Sequence, residues 1–194
     1  YWQNVAIKNS GYNPKELAYL EGSAMQSYLH DLEICQRYAS LNRKVIADII
    51  SDKLSNLQYL RQETIHNYIS NGILRKGAID ASKGKHLIIP INMRDGSILG
   101  IGLGNEDYNF SAPHGAGRLM SRSKAKENIS MDDFRESMTG IYSTSISEST
   151  LDESPFAYKP MQEILDNTVE TVSVTHIIKP IYNLKDSKKV KDED

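Results

Sequence analysis

Turn dipeptides divide residues 63–101 into short segments, and this spacing restricts the fold more than any other feature of the chain. The dipeptides are Asn71-Gly72, Lys83-Gly84 and Asp95-Gly96. Glycine in a tight hairpin turn supplies the positive φ that other residues adopt only with strain. The segments between the turns are rich in β-branched residues: 63–70, 73–81, 86–89 and 97–101. The pattern predicts a twisted sheet, either antiparallel or mixed.

The chain before these segments carries a helical pattern. Apolar residues recur at helical spacing from residue 23 to about residue 55, which predicts a long helix. Asn13 followed by Pro14 predicts the start of a short helix that ends at Gly22, because Asn caps helices well and Pro suits the first helical position. Residues 1–12 are predicted to be a loop or a short edge element. Helices and strands together predict an α+β fold in which long helices pack on the sheet.

Shorter elements are predicted in the second half of the chain: a basic helix over 119–128, a capped helix over 130–138, a strand over 141–145, a helix over 161–168 and a strand over 169–178. Ser130 and Asp133 resemble the ends of a capping box. The run from Ser143 to Thr150 is rich in Ser and Thr and is predicted to be a surface loop. Residues 186–194 are mostly charged and are predicted to be a disordered tail.

Composition excludes several classes of protein. With 194 residues, 39% of them hydrophobic, the chain is long enough to bury a core. The net charge of -2 provides no general attraction for nucleic acid, so any RNA contact needs a local patch of Lys and Arg. Cys35 is the single cysteine, which is typical of a reducing cytoplasm, and we expect it to be a buried small hydrophobe. No signal peptide and no apolar run of membrane-spanning length are visible, so no membrane partner is expected.

One histidine, His114, lies between Pro113 and the sequence Gly115-Ala116-Gly117. Pro113 biases the residue before it toward extended geometry, and glycines without a Cβ let backbone N–H groups approach a bulky anion. The basic helix that follows would add the partial positive charge of its N-terminus. A neutral imidazole can attack phosphorus near pH 7, since its ordinary pKa is about 6.5. The pattern predicts a phosphate cradle with a nucleophilic histidine at its edge. A loop histidine bonded to backbone carbonyls is the alternative.

The residues around His114 also resemble a known motif. His114-Gly115-Ala116-Gly117-Arg118, followed by Met120-Ser121-Arg122, is similar to the nucleophile motif of the RtcB family, the RNA-splicing ligases that use GTP and manganese. Further blocks resemble family blocks and follow the family's order: residues 64–68, 75–78, 89–93 and 152–159. Several blocks in one order are more specific than a single motif. The resemblance implies an RtcB-like fold, present in part.

Individual residues acquire roles through this resemblance. His114 would become covalently attached to GMP, and His66 would be a manganese ligand. The nucleotide would be held by residues from several blocks: Asn92, Gly115, Ala116, Gly117, Arg118, Tyr158 and Lys185. Of these, Tyr158 and Lys185 correspond to family residues that approach the guanine base.

Several cations are further candidates. Arg118 and Arg122 are suited to binding phosphates. The adjacent residues Arg75 and Lys76 belong to one of the matching blocks, and the resemblance implies that they face the active cleft. Because neighbouring residues of a strand point to opposite faces, at most one of them can reach a given phosphate. A solvated edge is the alternative for this pair.

The function implied by the resemblance is RNA ligation. The enzyme would join RNA 2',3'-cyclic phosphate or 3'-phosphate ends to 5'-hydroxyl ends through a histidine-GMP intermediate, as in tRNA splicing and RNA repair in the cytoplasm. Family members are much longer than this chain, so residues 1–185 are expected to be the carboxy-terminal portion of the ligase domain. The isolated chain would then be inactive and would need the amino-terminal half, on the same protein or on a separate chain.

Two alternatives remain open from the sequence. The chain could be a catalytically incomplete half that only binds nucleotide or RNA. It could also be a histidine-phosphoryl enzyme that does not act on RNA, in which case it would transfer to small acceptors and be indifferent to broken RNA ends.

Overall fold

The computed structural model of the chain describes residues 1–12, 15–54, 62–65, 67–183 and 185. These residues fall into two compact units, Tyr1–Arg61 and Gln62–Asp194. The first unit is helical and the second combines short strands with short helices, so the predicted α+β class is confirmed. Within the described ranges, no helix is long and apolar enough to cross a membrane. The predicted disordered tail lies outside the described residues.

An α-helix opens the first unit, where the sequence predicted a loop or a short edge element. Helix α1 spans Trp2–Ser10 and ends at Gly11, which has the left-handed φ of 68°. The Trp2 indole donates a hydrogen bond of 2.9 Å to Asp31 Oδ2 and meets the Tyr28 ring edge-on. These contacts join residues that are distant in sequence, and they stabilise a helix too short to persist alone. The prediction of a loop was therefore wrong.

The long second helix confirms its prediction. Helix α2 spans Gly22–Lys53. The short helix predicted before it is reduced to a 3-10 turn, Lys15–Leu17, and its predicted capping residues Asn13 and Pro14 lie outside the described residues. No residue of α2 is buried. Cys35 is accordingly exposed, so the prediction of a buried cysteine was wrong.

Short strands in small sheets make up much of the second unit. The strands in its described part are β1 Asn67–Ser70, β2 Ile73–Lys76, β3 Ala78–Asp80, β4 His86–Asn92, β5 Gly96–Gly102, β6 Ser111–Pro113, β7 Tyr142–Ser143, β8 Val172–Ile178 and β9 Tyr182–Asn183. The largest sheet is antiparallel with the order β4-β5-β8, and the pairs β1-β2 and β3-β6 are also antiparallel. Strands β7 and β9 pair in parallel. The sequence predicted one antiparallel or mixed sheet. Antiparallel and parallel pairs are both present, but they lie in separate small sheets.

Two of the three predicted dipeptides form hairpin turns, whereas Lys83-Gly84 lies in a turn between β3 and β4, which pair with other strands. Asn71-Gly72, with φ of 51° and 75°, joins β1 to β2, and Asp95-Gly96 joins β4 to β5. The single strand predicted over 73–81 is interrupted at Gly77, which has a φ of 70°. This left-handed residue ends β2 and allows the next residues to pair as β3 with a different strand, β6.

Two apolar clusters form the core of the second unit. One joins Ile164 of helix α5, Met161–Thr168, to buried strand residues: Ile79, Leu87, Ile89, Ile98 and Val172. The other surrounds Phe134 of helix α4, Met131–Ser137, and contains Met93, Ala125, Met138, Leu151 and Ala157. Tyr158 packs against both clusters. The core therefore fixes the position of this ring from two sides.

The predicted helices α4 and α5 are confirmed, whereas the basic helix is shorter than predicted. Helix α3 spans Arg122–Asn128 and not 119–128. Ser121 caps it, because the Ser121 hydroxyl accepts a hydrogen bond of 3.3 Å from the Lys124 N–H. The residues before Ser121 are then available to form the loop that carries His114.

The Ser- and Thr-rich run predicted to be a surface loop is partly buried. Ser145 and Thr150 are each 2% exposed, and a 3-10 helix over Glu148–Glu153 begins inside the run. The Thr150 hydroxyl donates to the Ser145 carbonyl, so burial leaves these polar groups with partners. The prediction of a surface loop holds for exposed residues such as Thr144 and is wrong for Ser145 and Thr150, because the composition did not reveal these internal bonds.

Candidate functional site

A cavity of about 620 Å³ in the second unit is lined by the residues that the sequence assigned to nucleotide binding. Its walls contain His114 together with the predicted binding residues: Asn92, Gly115, Ala116, Gly117, Arg118, Tyr158 and Lys185. Residues to which the sequence gave no role also line it, including Ser97, Glu153, Lys179 and Asn183. His66, the predicted manganese ligand, lies outside the described residues. Blocks that are far apart in the chain thus meet in one cavity.

Two strands position His114 at this cavity. Strand β6 pairs with β3 and ends at Pro113, so His114 is the first residue after the pairing. On the other strand, Gly77 immediately precedes β3. The His114 N–H donates to the Gly77 carbonyl at 3.4 Å, and His114 Nδ1 lies 2.6 Å from the same oxygen. The left-handed turn at Gly77 therefore anchors both the backbone and the ring of the histidine.

The contact with Gly77 assigns the tautomer of the neutral imidazole. A carbonyl oxygen can only accept a hydrogen bond, so the proton of the neutral ring must be on Nδ1. The basic lone pair is then on Nε2. The sequence left two readings for His114, a nucleophile or a loop histidine bonded to a backbone carbonyl. The structure combines a carbonyl bond at one nitrogen with a lone pair at the other.

The first glycine after His114, Gly115, fits closely against strand β4. A Cβ built on Gly115 would come within 3.1 Å of the Pro90 carbonyl oxygen, and the Ala116 N–H donates to that oxygen at 3.1 Å. Gly117 has a φ of 73°, a conformation that favours glycine. The loop thus approaches β4 closely, and the Ala116 amide is bonded within the chain. The phosphate cradle at these residues stays a prediction.

Arg118 and Tyr158 lie opposite each other in a short antiparallel bridge. The Arg118 guanidinium stands 4.9 Å from the centre of the Tyr158 ring and donates to the Tyr158 hydroxyl at 3.1 Å. It also donates to the Asp152 carbonyl at 2.8 Å. A planar guanidinium can stack on an aromatic ring and donate hydrogen bonds at its edge at the same time. Arg118 is therefore fixed in orientation at the cavity wall.

A pair of neighbouring acids, Asp152 and Glu153, gathers the cations of the site. Asp152 has a carboxylate oxygen 3.7 Å from Arg118, 3.7 Å from Arg122 and 3.6 Å from Lys126. Glu153 lies 3.0 Å from Arg118 and 3.1 Å from the Lys185 ammonium. The sequence placed both acids in a matching block but gave them no role. Two adjacent acids in a matching block could have indicated a role in binding cations. The sequence does not reveal which cations they contact.

These contacts shift the pKa values of two groups in the cavity. Burial would raise the pKa of Glu153, but the Lys185 ammonium, the Tyr158 hydroxyl and the Arg118 guanidinium together hold it below its usual value. Burial, followed by the nearby Glu153 carboxylate, raises the pKa of Tyr158 to about 12. Tyr158 therefore remains a neutral hydrogen-bond donor to Glu153, at 3.0 Å, at any physiological pH.

The side chain of Asn92 is occupied by the turn between β4 and β5. Its Oδ1 accepts hydrogen bonds from the N–H groups of Arg94 at 2.9 Å and Asp95 at 2.8 Å. Its Nδ2 donates to Asp95 Oδ2 at 2.8 Å. Asn92 thus lines the cavity while its amide holds the turn, and a nucleotide contact by this residue stays a prediction.

Arg75 and Lys76 point to opposite faces, as the strand geometry requires. Arg75 is 4% exposed, and its guanidinium donates to Ser111 Oγ at 2.9 Å and to the carbonyls of Asn109 and Phe110 at 3.2 and 3.3 Å. Lys76 is exposed. Arg75 therefore ties β2 to the segment that leads into β6 and His114, which is a structural role for its bound guanidinium.

The described residues do not form a metal site by themselves. Among residues 1–12, 15–54, 62–65, 67–183 and 185, no group of three or more His, Cys, Asp or Glu side chains is arranged to hold a metal ion. Glu153 at the cavity and the neighbouring Asp152 are bound to cationic side chains. The donor set for a manganese ion is thus incomplete in this part of the chain.

Comparison with known proteins identifies the family to which this chain is similar. The family model described as tRNA-splicing ligase RtcB matches residues 3–186. The RNA-splicing ligase RtcB of Escherichia coli K12 is 32% identical over 192 residues, which cover 88% of this chain and 47% of that protein. The tRNA-splicing ligase RtcB of Aeropyrum pernix is 36% identical over 86 residues, covering 42% of this chain and 18% of that protein.

A mycobacterial relative extends the comparison. The RNA-splicing ligase RtcB of Mycobacterium tuberculosis H37Rv is 26% identical over 173 residues, covering 73% of this chain and 40% of that protein. The chain spans about half the length of the Escherichia coli relative and less of the others. The family match, in contrast, extends over nearly all of the chain and includes every described residue that lines the cavity. The chain belongs to the tRNA-splicing ligase RtcB family.

Proposed function

We propose that this chain carries the guanylylated histidine and part of the GTP site of an RNA ligase. The complete protein would join RNA 2',3'-cyclic phosphate or 3'-phosphate ends to 5'-hydroxyl ends, as in tRNA splicing and RNA repair. The observation that carries the proposal is His114 at the cavity, with Nδ1 bonded to the Gly77 carbonyl and the lone pair on Nε2. The names of the relatives, which are RNA- and tRNA-splicing ligases, support the same reaction class.

The first step is attack of His114 Nε2 on the α-phosphorus of GTP. A nitrogen–phosphorus bond forms, the bond from the α-phosphorus to the bridging oxygen breaks, and pyrophosphate leaves with that electron pair. The ring becomes a cation because Nδ1 keeps its proton. The Gly77 carbonyl, 2.6 Å from Nδ1, stabilises this charge and holds the ring in line.

The next steps transfer GMP to RNA and seal the strand. Water first opens a 2',3'-cyclic end to a 3'-phosphate. An oxygen of that phosphate then attacks the GMP phosphorus, and Nε2 leaves with its lone pair restored. Finally the 5'-hydroxyl oxygen attacks the RNA 3'-phosphorus and loses its proton, while GMP leaves. The neutral histidine is regenerated at the end of the cycle.

Cations around the cavity suit the charges of these reactants. Arg118 and Arg122 line it, and Arg122 is 76% exposed, so its guanidinium is accessible to a phosphate. Lys185 also lines it, and an ammonium can donate to the guanine O6. Tyr158 offers a ring face and a hydroxyl held by Glu153. We assign the phosphates to the arginines and the base to Lys185 and Tyr158.

Manganese is proposed as a cofactor with His66 as one of its ligands. The described residues hold no complete donor set, so the other ligands would come from residues outside them, including the amino-terminal half of the protein. Bound manganese supplies a positive charge that neutralises phosphate oxygens. We further propose that the protein acts in the cytoplasm and that this chain alone does not turn over RNA.

Covalent labelling tests this proposal. The complete protein should form an acid-labile GMP adduct with α-labelled GTP and manganese, and His114→Ala should abolish it. His86→Ala is a matched control, because His86 is exposed on β4 and is not among the residues that line the cavity. Persistence of the label in His114→Ala would remove the assignment.

A binding module is the second candidate function. The chain spans about half the length of the Escherichia coli relative, so it could bind GTP or RNA without performing chemistry. Under this reading the isolated chain binds GTP reversibly and His114 acquires no label, even when the missing half is supplied. Recovery of labelling on adding that half would favour the ligase.

A further inference from the structure

One buried side chain, Ser145, is bonded to both backbone groups of Lys185. The Ser145 hydroxyl donates to the Lys185 carbonyl at 3.0 Å and accepts from the Lys185 N–H at 2.8 Å. A serine hydroxyl has one donor and two acceptor sites, so both bonds can form together. Since Ser145 is buried, water competes poorly for either bond. The Ser145 hydroxyl therefore bonds the Lys185 N–H and carbonyl in the way that a neighbouring strand's backbone would.

This contact extends the parallel pairing of β7 and β9. Ser143 Oγ donates to the Asn183 carbonyl at 2.9 Å and accepts from the Ser145 N–H at 3.1 Å. Two serines that are two positions apart thus hold two residues of the terminal segment that are also two positions apart. Asn183 and Lys185 both line the cavity.

The segment that begins at Ser145 also holds the charged end of Lys185. It continues into the 3-10 helix Glu148–Glu153, and the Thr150 hydroxyl of that helix donates back to the Ser145 carbonyl. At its end, Glu153 Oε2 lies 3.1 Å from Lys185 Nζ. One short segment thus fixes Lys185 at its backbone and at its ammonium. A long flexible side chain held at both ends has far fewer accessible positions.

We propose that Ser145 is a positioning residue that fixes the Lys185 ammonium in the cavity and thereby sets the preference for guanine over adenine. This inference rests on the proposed function. An ammonium can only donate hydrogen bonds, and guanine presents the O6 acceptor where adenine presents an amino donor. The distinction requires the ammonium to stay at one place, because a donor displaced by about 1 Å loses most of its selectivity.

Nucleotide kinetics on the complete protein test the inference. Ser145→Ala should raise the KM for GTP in His114 labelling about tenfold, with kcat within about twofold, and should lower the preference for GTP over ATP by a similar factor. Ser145→Thr keeps the hydroxyl and should restore most of both values. Ser137→Ala is the matched control, because its hydroxyl donates to the Phe134 carbonyl within α4. It should behave as the wild type.

Hydrogen exchange gives a readout that does not depend on activity. The Lys185 amide should exchange at least about tenfold faster in Ser145→Ala and at the wild-type rate in Ser137→Ala. If Ser145→Ala does not fold, Ser145→Cys replaces it, since a thiol is a weak hydrogen-bonding group and should shift KM in the same direction.

The outcomes separate this inference from the proposed function. A folded Ser145→Ala protein with unchanged KM and unchanged preference for GTP would overturn the inference, as would a loss confined to kcat. Failure of the wild-type protein to form any GMP adduct would instead overturn the proposed function, and the inference that rests on it with that function.

Discussion

His114 Nδ1 lies 2.6 Å from the carbonyl oxygen of Gly77. This contact holds the ring in the tautomer whose Nε2 carries the lone pair, and it depends on a glycine with a φ of 70°. The orientation of the proposed nucleophile is thus determined by a residue that is far from it in sequence. Substitutions at Gly77 test whether that orientation matters.

Gly77→Ala should slow His114 labelling about tenfold. A Cβ at Gly77 would meet His114 Nδ1 at 3.7 Å, an ordinary contact, so the effect comes from the backbone. Alanine disfavours the left-handed conformation by about 1 kcal/mol, and relaxation would rotate the carbonyl away from Nδ1. The labelling rate and the urea midpoint of the complete protein measure the two effects.

The control for this substitution is Gly72→Ala in the β1–β2 turn. Gly72 has a φ of 75°, and a Cβ there would meet nothing within 4 Å. It should cost similar stability without slowing the labelling of His114. Equal labelling rates for the two variants would show that the Gly77 carbonyl does not orient the ring.

Glu153→Gln should change how stability depends on pH. Burial raises the pKa of Glu153, but Lys185, Tyr158 and Arg118 outweigh it and the pKa in the folded protein is lowered. The ionised carboxylate therefore stabilises the fold above its unfolded pKa of about 4.5, and this contribution is lost as the pH falls through the lower folded value. Denaturant unfolding between about pH 3 and pH 6 should show a shallower pH slope for Glu153→Gln than for the wild type.

The pH dependence of Glu153→Gln is compared with that of a control variant. Ser137→Ala introduces no titrating change and should retain the full slope of the wild type. The size of the effect will be modest, because Glu153 is partly solvated and its ion pairs are screened. A slope for Glu153→Gln that equals the wild-type slope would contradict the prediction.

Arg75→Met should destabilise the protein by about 3 kcal/mol, the cost of breaking a buried charged network. The variant leaves Ser111 Oγ and the Asn109 and Phe110 carbonyls without the guanidinium that bonds to them. Lys76→Met removes an exposed cation from the next position and should change stability by no more than about 0.5 kcal/mol. Urea unfolding of both variants checks the contrast, and equal losses would show that Arg75 has no special structural role.

His66→Ala should weaken manganese binding to the complete protein by at least about tenfold. The reason is loss of one imidazole ligand from the proposed site. Calorimetric titration with manganese measures the affinity without requiring activity, and His86→Ala serves as the comparison. Unchanged affinity and stoichiometry in His66→Ala would exclude His66 as a ligand.

Much of the fold follows from local patterns in the sequence. The helix over Gly22–Lys53 has a long apolar period, and the hairpin turns have glycine where a positive φ is needed. In contrast, α1 depends on the bond from Trp2 to Asp31, which no local pattern contains. The buried Ser145 was mistaken for part of a surface loop, because its partner Lys185 lies far along the chain.

The candidate site likewise combines residues that the sequence identified with residues whose roles depend on long-range contacts. The residues that line the cavity were largely identified through the family resemblance, including His114, Arg118, Tyr158 and Lys185. The roles of Gly77 and Glu153 could not be predicted in this way. Each acts through a contact with a residue more than thirty positions away, and such contacts appear only when the fold is known.

The two-residue pairing of β7 with β9 has a consequence for insertions and deletions. Within the part of the chain that the structure describes, β9 pairs with β7 through Tyr182 and Asn183, and Lys185 follows after a single residue. Ser145 bonds both backbone groups of Lys185, so adding or removing one residue between Asn183 and Lys185 would bring a different residue to the Ser145 hydroxyl and displace the lysine from the cavity. We therefore expect this stretch to tolerate exchanges of residue type far better than any change in its length.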